Sequence, residues 1–360
     1  MAKARRAAFH PLRVCDIRPL TDDAVCVTFA VPPELAAEFD FTQGQHLNIR
    51  TSLAGDDIRR SYSICAPAGA GTLRIGIKVL PGGHFSGFAA GGLKVGDVLD
   101  VMTPMGRFFT PLDPEQDKHY VAIAAGSGIT PIYSIVATTL AREPKSRVTL
   151  LFANRTSRTV MFLEELEDLK DSYPGRFHLI HVLSREAQDS ELLSGRLDAA
   201  RLTKITETLV PTETVDDWFL CGPYDMVSEL RDALLAQGVD RAHVHSELFH
   251  VDTAPPPRRD ERPSEPGHGS EVTIVLDGRR STFKLATNDV PILEAALRVR
   301  SDAPFACKGG VCGTCRAKLV EGSVEMDTNY ALEPEEIEKG YVLTCQSHPT
   351  SDTVVLDYDA

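Results

Sequence analysis

The first hundred residues alternate in short steps of two. Val25–Val31 (VCVTFAV), Gln45–Thr51 (QHLNIRT), Arg59–Ile64 (RRSYSI) and Leu73–Leu80 (LRIGIKVL) interleave apolar and polar positions, with Gly and Pro punctuating the intervals. Half-buried strands give this pattern, because successive side chains point to opposite faces. Many short strands without a strong helical period predict an antiparallel β-barrel over residues 8–112.

The period changes near Lys118. HYVAIAA (119–125) is a β run, followed by GSGITP and an apolar helix to about Arg142. RVTLLFA (147–153), FHLIHVLS (177–184) and DDWFLCG (216–222) predict three more strands. VMFLEELEDLKDSY (160–173) and the stretch to about Gln237 predict helices between and after them. Strands alternating with helices imply an α/β domain with a parallel sheet over residues 113–249. The run 121–141 carries no charge, but Gly126, Gly128 and Pro131 interrupt it. It reads as buried strand, tight loop and helix rather than as a membrane span.

Residues 250–270 hold five prolines and two glycines and almost nothing apolar, the composition of a linker. Fully extended, such a segment reaches about 70 Å. Residues 271–360 then predict a separate small domain: a hairpin (271–285), a helix (about 290–300), a Cys-rich loop and further strands.

Composition narrows the reading. Of 360 residues, 42% are hydrophobic and 25% charged, as in an ordinary globular protein. A net charge of −13 argues against nucleic-acid binding, yet leaves room for a local basic pocket around a phosphate. The basic start MAKARRAAFHPLR has no apolar core of a secretory signal, so a frayed tail and a cytoplasmic protein are expected, with a transit peptide as the weaker alternative. From Glu271 onward, 15 Asp and Glu face 9 Lys and Arg. That net of −6 serves solubility, or steers the domain toward a basic face on a partner.

Three of the eight cysteines fall within nine residues. Cys307, Cys312 and Cys315, with Cys345 far downstream, follow the C-x4-C-x2-C…C spacing of plant-type [2Fe–2S] ferredoxins. A tight loop supplies three thiolates and a distant segment the fourth. Gly309, Gly310 and Gly313 let the backbone turn closely and aim N–H groups at sulfur. The alternatives are structural zinc, which more often uses a Cys pair at each end of the site, and a disulfide pair.

Two motifs in the barrel suit a flavin. In Arg60-Ser61-Tyr62-Ser63, the arginine can neutralise a phosphate, the tyrosine can stack on a ring system and Ser63 can reach its reactive edge. Downstream lies Lys78-VLPGG-His84-Phe85-Ser86, where Gly82, Gly83 and Ser86 can present N–H and O–H groups to phosphate at a helix N-terminus. Alone, RSYS is a strand with an exposed arginine. Paired with the second motif and a following nucleotide domain, it reads as a flavin site.

Gly126-Ser127-Gly128-Ile129-Thr130-Pro131 joins a strand to a helix, as a pyrophosphate loop does, although Pro131 stands where GxGxxG has its last glycine. Arg155 and Arg158 follow the second strand of this domain, and Ser184-Arg185 the third. Arginines there suit a 2′-phosphate and hence NADPH; the alternative is arginine in solvent. Cys221-Gly222-Pro223 closes the fourth strand, where a small residue would let a nicotinamide approach a flavin; a buried structural cysteine is the alternative. Cys15, Cys26 and Cys65 read as ordinary strand or core cysteines.

Together these motifs resemble the ferredoxin–NADP⁺ reductase superfamily with a fused plant-type ferredoxin domain, over nearly the whole chain apart from the tail and linker. RSYS and GGHFS resemble its flavin motifs, GSGITP its pyrophosphate loop, SRE its 2′-phosphate loop and CGPYDM its nicotinamide-side loop. The run EGSVEMDTNYAL and CQSHPTSD after the fourth cysteine resemble reductase components of oxygenases. The resemblance implies a β-grasp fold for the last domain, FAD rather than FMN, Thr130 beside the flavin, and a flavin-side role for Glu247 and Phe249. It also implies an oxygenase, of the di-iron kind, as electron acceptor, with no side chain needed as an acid–base catalyst.

Overall fold

The computed structural model describes residues 8–250, 269–286 and 290–360. The chain divides into two compact units, Phe9–Val251 and Asp252–Ala360 with Met1–Ala8. The basic tail (1–7) and most of the Pro-rich linker lie outside the described residues. The expected linker bounds need correcting: His250 still pairs in a strand, and Gly269 and Ser270 already do, so ladder hydrogen bonding extends into both ends of the segment.

The first unit opens with β1 (Phe9–Thr21), β2 (Ala24–Ala30), β3 (His46–Leu53), β4 (Asp56–Ser63), β5 (Leu73–Lys78), α1 (His84–Gly91) and β6 (Val98–Met102). The strands form an antiparallel sheet in the order β4-β3-β6-β1-β2-β5. A bridge between Ile64 and Ile75 joins its two edges into a barrel. Leu47, Ile49, Ile64, Ile75, Ile77 and Val101 are fully buried inside it. β1 and β6 belong to the expected barrel but were not among the strands singled out from the sequence. β1 buries only Leu12 and Val14 and is bulged, so its apolar alternation is weak.

The chain continues through β7 (His119–Ala125), α2 (Ile129–Arg142), β8 (Arg147–Asn154), α3 (Leu163–Ser172), β9 (Phe177–Leu183), α4 (Ala199–Thr208), β10 (Asp217–Pro223), α5 (Tyr224–Ala236) and β11 (Val244–His250). The sheet is parallel, in the order β11-β10-β7-β8-β9. α2 is buried from Ile129 to Leu140, which explains the charge-free run. One side of the helix covers the sheet. The other packs on the barrel residues Ala24, Cys26 and Cys65, so one core spans both layers. No helix among the described residues is long and apolar enough to cross a membrane. α3 starts three residues later than expected. Phe162 takes a left-handed backbone (φ 59°) and its ring stacks on Tyr133 at 5.5 Å, so core packing overrides helix continuation.

The second unit comprises β12 (Gly269–Leu276), β13 (Arg279–Ala286), α6 (Ile292–Val299), β14 (Arg316–Glu321), β15 (Val324–Met326), α7 (Pro334–Glu338), β16 (Tyr341–Leu343), β17 (Ser347–Pro349) and β18 (Thr353–Asp357). Its main sheet runs β13-β12-β18-β14-β16, with β12 and β18 parallel and the other neighbours antiparallel. Ile292, Ala295 and Ala296 of α6 pack over this sheet, and β15 pairs with β17 beside it.

Candidate functional site

In the parallel sheet, β7, β8 and β9 progress one way and β10 lies on the other side of β7. The crevice at the carboxyl ends of β7 and β10 is therefore the topological switch point, where ligands of such sheets bind. Gly126–Gly128 forms a tight turn after β7, and Cys221–Gly222 ends β10. A Cβ on Gly128 would stand 2.2 Å from the Cys221 carbonyl oxygen. Gly128 is thus required by protein packing, while Gly126 has φ +54° and nothing within 4 Å of its Cβ position. Pro131 and Thr130 lie buried in the first turn of α2, and the Thr130 hydroxyl donates to the Ser127 carbonyl at 3.0 Å.

The barrel brings its motif to the same crevice. The Ser63 hydroxyl donates to the Glu247 carboxylate at 3.1 Å. Glu247 stands opposite Cys221 in the ladder between β11 and β10. Burial pushes the Cys221 thiol well above its ordinary pKa, and the Glu247 charge adds to the effect. Gly76 of β5 faces the nucleotide-domain helix: a Cβ there would meet the Thr130 methyl at 2.7 Å. Ser63, Glu247, Cys221, Gly128 and Thr130, separated by up to 184 positions in sequence, therefore share one region. Phe249 packs at the edge of the same core.

Tyr62 lies against Phe85 of α1, with ring centroids 5.6 Å apart. Burial drives its phenol far above the ordinary range, so it stays neutral and presents an aromatic face. Arg60 is exposed and donates to the Arg59 carbonyl at 2.7 Å. Ser61 donates to Asn48 at 2.6 Å, so it braces β4 against β3. In the second motif His84 is exposed, and a Cβ on Gly83 would meet Ser86 Oγ at 2.4 Å. The Ser86 hydroxyl accepts from the Leu80 N–H at 3.1 Å and donates to the Gly83 carbonyl at 3.3 Å. These bonds place the Ser86 hydroxyl at the closure of the turn. Lys78 pairs with Asp23 at 3.3 Å.

Arg155, Arg158, Ser184 and Arg185 are exposed at the carboxyl ends of β8 and β9. Backbone bonds from Ser184 to Asn154 (2.9 Å) and from Arg185 to Arg155 (2.8 Å) tie the two loops together. The Glu186 carboxylate accepts from both the N–H and the hydroxyl of Ser157, at 2.9 and 3.0 Å.

In the second unit the four thiols lie within one another's influence: Cys307 interacts with Cys312, Cys315 with Cys345, and Cys312 with both Cys315 and Cys345. Cys307 is exposed, and Cys315 and Cys345 are buried. Among the described residues no three His, Cys, Asp or Glu side chains converge as a single-ion site. Four thiols gathered in this way would suit a two-iron cluster. The backbone N–H groups of Gly309 and Cys312 donate to Cys307 Sγ at 3.3 and 3.4 Å. The Cys312 thiol has the largest influence on Cys307 and, with these N–H groups, lowers its pKa to about 6. Cys345 is lowered too, by its bond with the Cys315 thiol and then, against burial, by Gln346. Lys308, Gly310 and Gly313 take left-handed backbones, wrapping the loop around the sulfurs. The donor set fits thiolate-ligated iron. Sequence reading singled out neither Gln346 nor Thr328, which lies against Gly310; adjacency of Gln346 to the fourth cysteine was the available signal.

Comparison with known proteins follows the same partition. Residues 11–110 match the oxidoreductase FAD-binding domain family, residues 122–232 the oxidoreductase NAD-binding domain family, and residues 274–350 the 2Fe-2S iron-sulfur cluster binding domain family. The chain belongs to the ferredoxin–NADP⁺ reductase-like flavoproteins that carry a C-terminal [2Fe–2S] ferredoxin domain. It is an NAD(P)H-dependent flavin oxidoreductase with FAD and an iron–sulfur cluster as cofactors.

Among its relatives, a subunit of the 1,2-phenylacetyl-CoA epoxidase of Escherichia coli is 43% identical over 352 residues, 98% of each chain. The ferredoxin reductase component of 3-ketosteroid-9-alpha-monooxygenase from Mycobacterium tuberculosis is 34% identical, over 97% of this chain and 95% of that one. The fold of phthalate dioxygenase reductase superposes with a TM-score of 0.58 at 22% identity, over 97% of this chain and 98% of that one.

Proposed function

We propose that this chain is the reductase component of an oxygenase system, drawing electrons from NADPH and delivering them singly to a phenylacetyl-CoA epoxidase of the di-iron kind. The observation that carries the acceptor is the 43% identity to the Escherichia coli epoxidase component, maintained over 98% of both chains. The 34% relative keeps a second acceptor open, a 3-ketosteroid 9α-hydroxylase, with an aromatic-ring oxygenase behind it. A reading outside the enzyme class, a zinc-binding carrier or sensor, is disfavoured by the match of residues 274–350 to the 2Fe-2S iron-sulfur cluster binding domain family. A place in the cytoplasm, where thiols stay reduced, suits a chain whose eight cysteines are all free.

When bound, the flavin exchanges paired for single electrons and the cluster carries single electrons outward. The chain's own work is positioning. Tyr62, backed by Phe85, offers a neutral aromatic face, and the Ser63 hydroxyl is oriented by Glu247. Gly128 and Gly222 keep the switch-point crevice narrow, since a Cβ at either would strike neighbouring atoms. Arg60 is available to a flavin phosphate, and Arg155, Arg158 and Arg185 to a 2′-phosphate. Cys307 is the most exposed of the four candidate cluster ligands, so single electrons leave on its side.

Anaerobic NADPH titration of the full chain, followed by each candidate oxygenase, tests the proposal. Flavin and iron–sulfur absorption should bleach together and return on mixing with the epoxidase component. Reoxidation by the steroid hydroxylase alone would move the assignment to the second acceptor. A colourless zinc protein would end it.

A further inference from the structure

Gln346 follows the fourth candidate ligand and is 7% exposed. Its side-chain amide is fully engaged. Nε2 donates to the Lys308 carbonyl at 2.8 Å and the Cys345 carbonyl at 3.0 Å, and reaches Cys345 Sγ at 3.6 Å. Oε1 accepts from the Thr328 hydroxyl at 2.8 Å. Two carbonyl acceptors on one side fix the amide orientation, because only the nitrogen end can donate to them. One side chain thereby joins the loop carrying three ligands to the segment carrying the fourth. It also pins Lys308, whose backbone is left-handed (φ 53°), and shares the N–H given to the Cys345 carbonyl with the Cys345 sulfur.

A donor to a ligand sulfur stabilises the more negative, reduced form of an iron–sulfur cluster and raises its potential. We propose that Gln346 is a positioning residue that sets the reduction potential of the cluster, through the N–H that it shares between the Cys345 carbonyl and the Cys345 sulfur. The inference rests on the reading that Cys307, Cys312, Cys315 and Cys345 hold that cluster. A residue serving only to close the loop would change how much cluster assembles. It would not change the potential of the cluster that does assemble.

The test is a mediated anaerobic titration of full-length protein, followed by EPR of the reduced cluster. In Gln346→Leu the reduced-to-oxidised ratio at a given applied potential should fall about tenfold, a shift of roughly 60 mV for one electron. Gln346→Glu, which loses the donor and adds negative charge, should shift at least as far in the same direction. Flavin reduction by NADPH should be unchanged in both. A loaded Gln346→Leu cluster with the wild-type potential would overturn the proposal. Should neither variant load, the wild-type protein decides. Gln346 is the sole glutamine from Gly269 to Ala360. Protein carrying side-chain ¹⁵N-glutamine should therefore show a nitrogen coupling to the reduced cluster in pulsed EPR, and its absence would overturn the assignment. A wild-type protein with no reduced-cluster signal at all would instead sink the ligand reading beneath it.

Discussion

In the ferredoxin unit three of the four candidate ligands lie within nine consecutive residues, and side chains close their surroundings: Gln346 on Lys308, Thr328 on Gln346. In the reductase unit Ser63, Gly128, Cys221 and Glu247 come from separate elements. They meet because α2 is buried between barrel and sheet and gives the two layers one core. The first site is held locally, the second by packing over the whole unit. Local sites should therefore fail alone when a ligand is lost, whereas packed sites should fail together with the stability of their unit.

The largest expected effect tests the local side. Cys345→Ser removes one thiolate of the buried pair and should abolish the iron–sulfur absorption, lowering electron delivery to a one-electron acceptor by more than about 100-fold. Flavin reduction by NADPH, followed by stopped-flow absorbance, should stay near the wild-type rate. Loss of flavin from this variant would show that the two units do not hold their cofactors independently.

Gly128→Ala is the mirror-image experiment. The new methyl would lie 2.2 Å from the Cys221 carbonyl oxygen, so either the turn after β7 or the end of β10 must move. Overpacking of this kind costs about 1–3 kcal/mol. The variant should lose thermal stability and reduce its flavin at least about tenfold more slowly, with the cluster spectrum intact after chemical reduction. Unchanged kinetics would mean that the crevice is looser than its backbone contacts imply.

The sequence carried the two sites unequally, for the same reason. The cysteine spacing is a local signal and led directly to four thiols that lie within one another's influence. The parallel sheet was legible because its strands are buried on both faces and read as apolar runs. β1, α4 and β11 were missed, because half-exposed elements carry a diluted pattern. Ser86 shows the limit at the level of one side chain. Its type and place in a glycine-rich turn were legible, but the hydrogen bonds to Leu80 and Gly83 depend on how that turn closes.

His46 sharpens the packed side of the comparison through pH. It lies on β3 opposite Ser63, 6% exposed, with no partner for Nε2 among the described residues. Burial lowers its pKa from 6.5 to about 4. The unfolded chain then binds the proton first as pH falls, so stability present above about pH 6.5 is lost progressively down to about pH 4. By pH 5 the loss amounts to roughly 2 kcal/mol. His46→Leu should remove that part of the acid sensitivity. Trp218, the chain's single tryptophan and fully buried in the reductase unit, gives a local fluorescence readout. An unaltered pH dependence would show that other groups carry the acid response.

The smallest effect concerns coenzyme choice, at the exposed rim of the packed site. Arg155 and Arg185 are brought together by a backbone bond between their loops, and Glu186 already occupies the N–H and hydroxyl of Ser157 beside them. A carboxylate in that place repels a 2′-phosphate, while the exposed guanidinium groups attract it through solvent. The two influences oppose each other, so the preference for NADPH should be moderate. Arg185→Ala should raise the KM for NADPH by about tenfold while leaving that for NADH within about twofold, a loss of roughly 1.4 kcal/mol confined to the 2′-phosphate. Glu186→Gln should move the ratio the other way, because it removes the repelling charge. An equal change with both coenzymes in Arg185→Ala would detach the arginine from the 2′-phosphate, leaving the switch-point crevice as the only part of the nicotinamide site argued from packing.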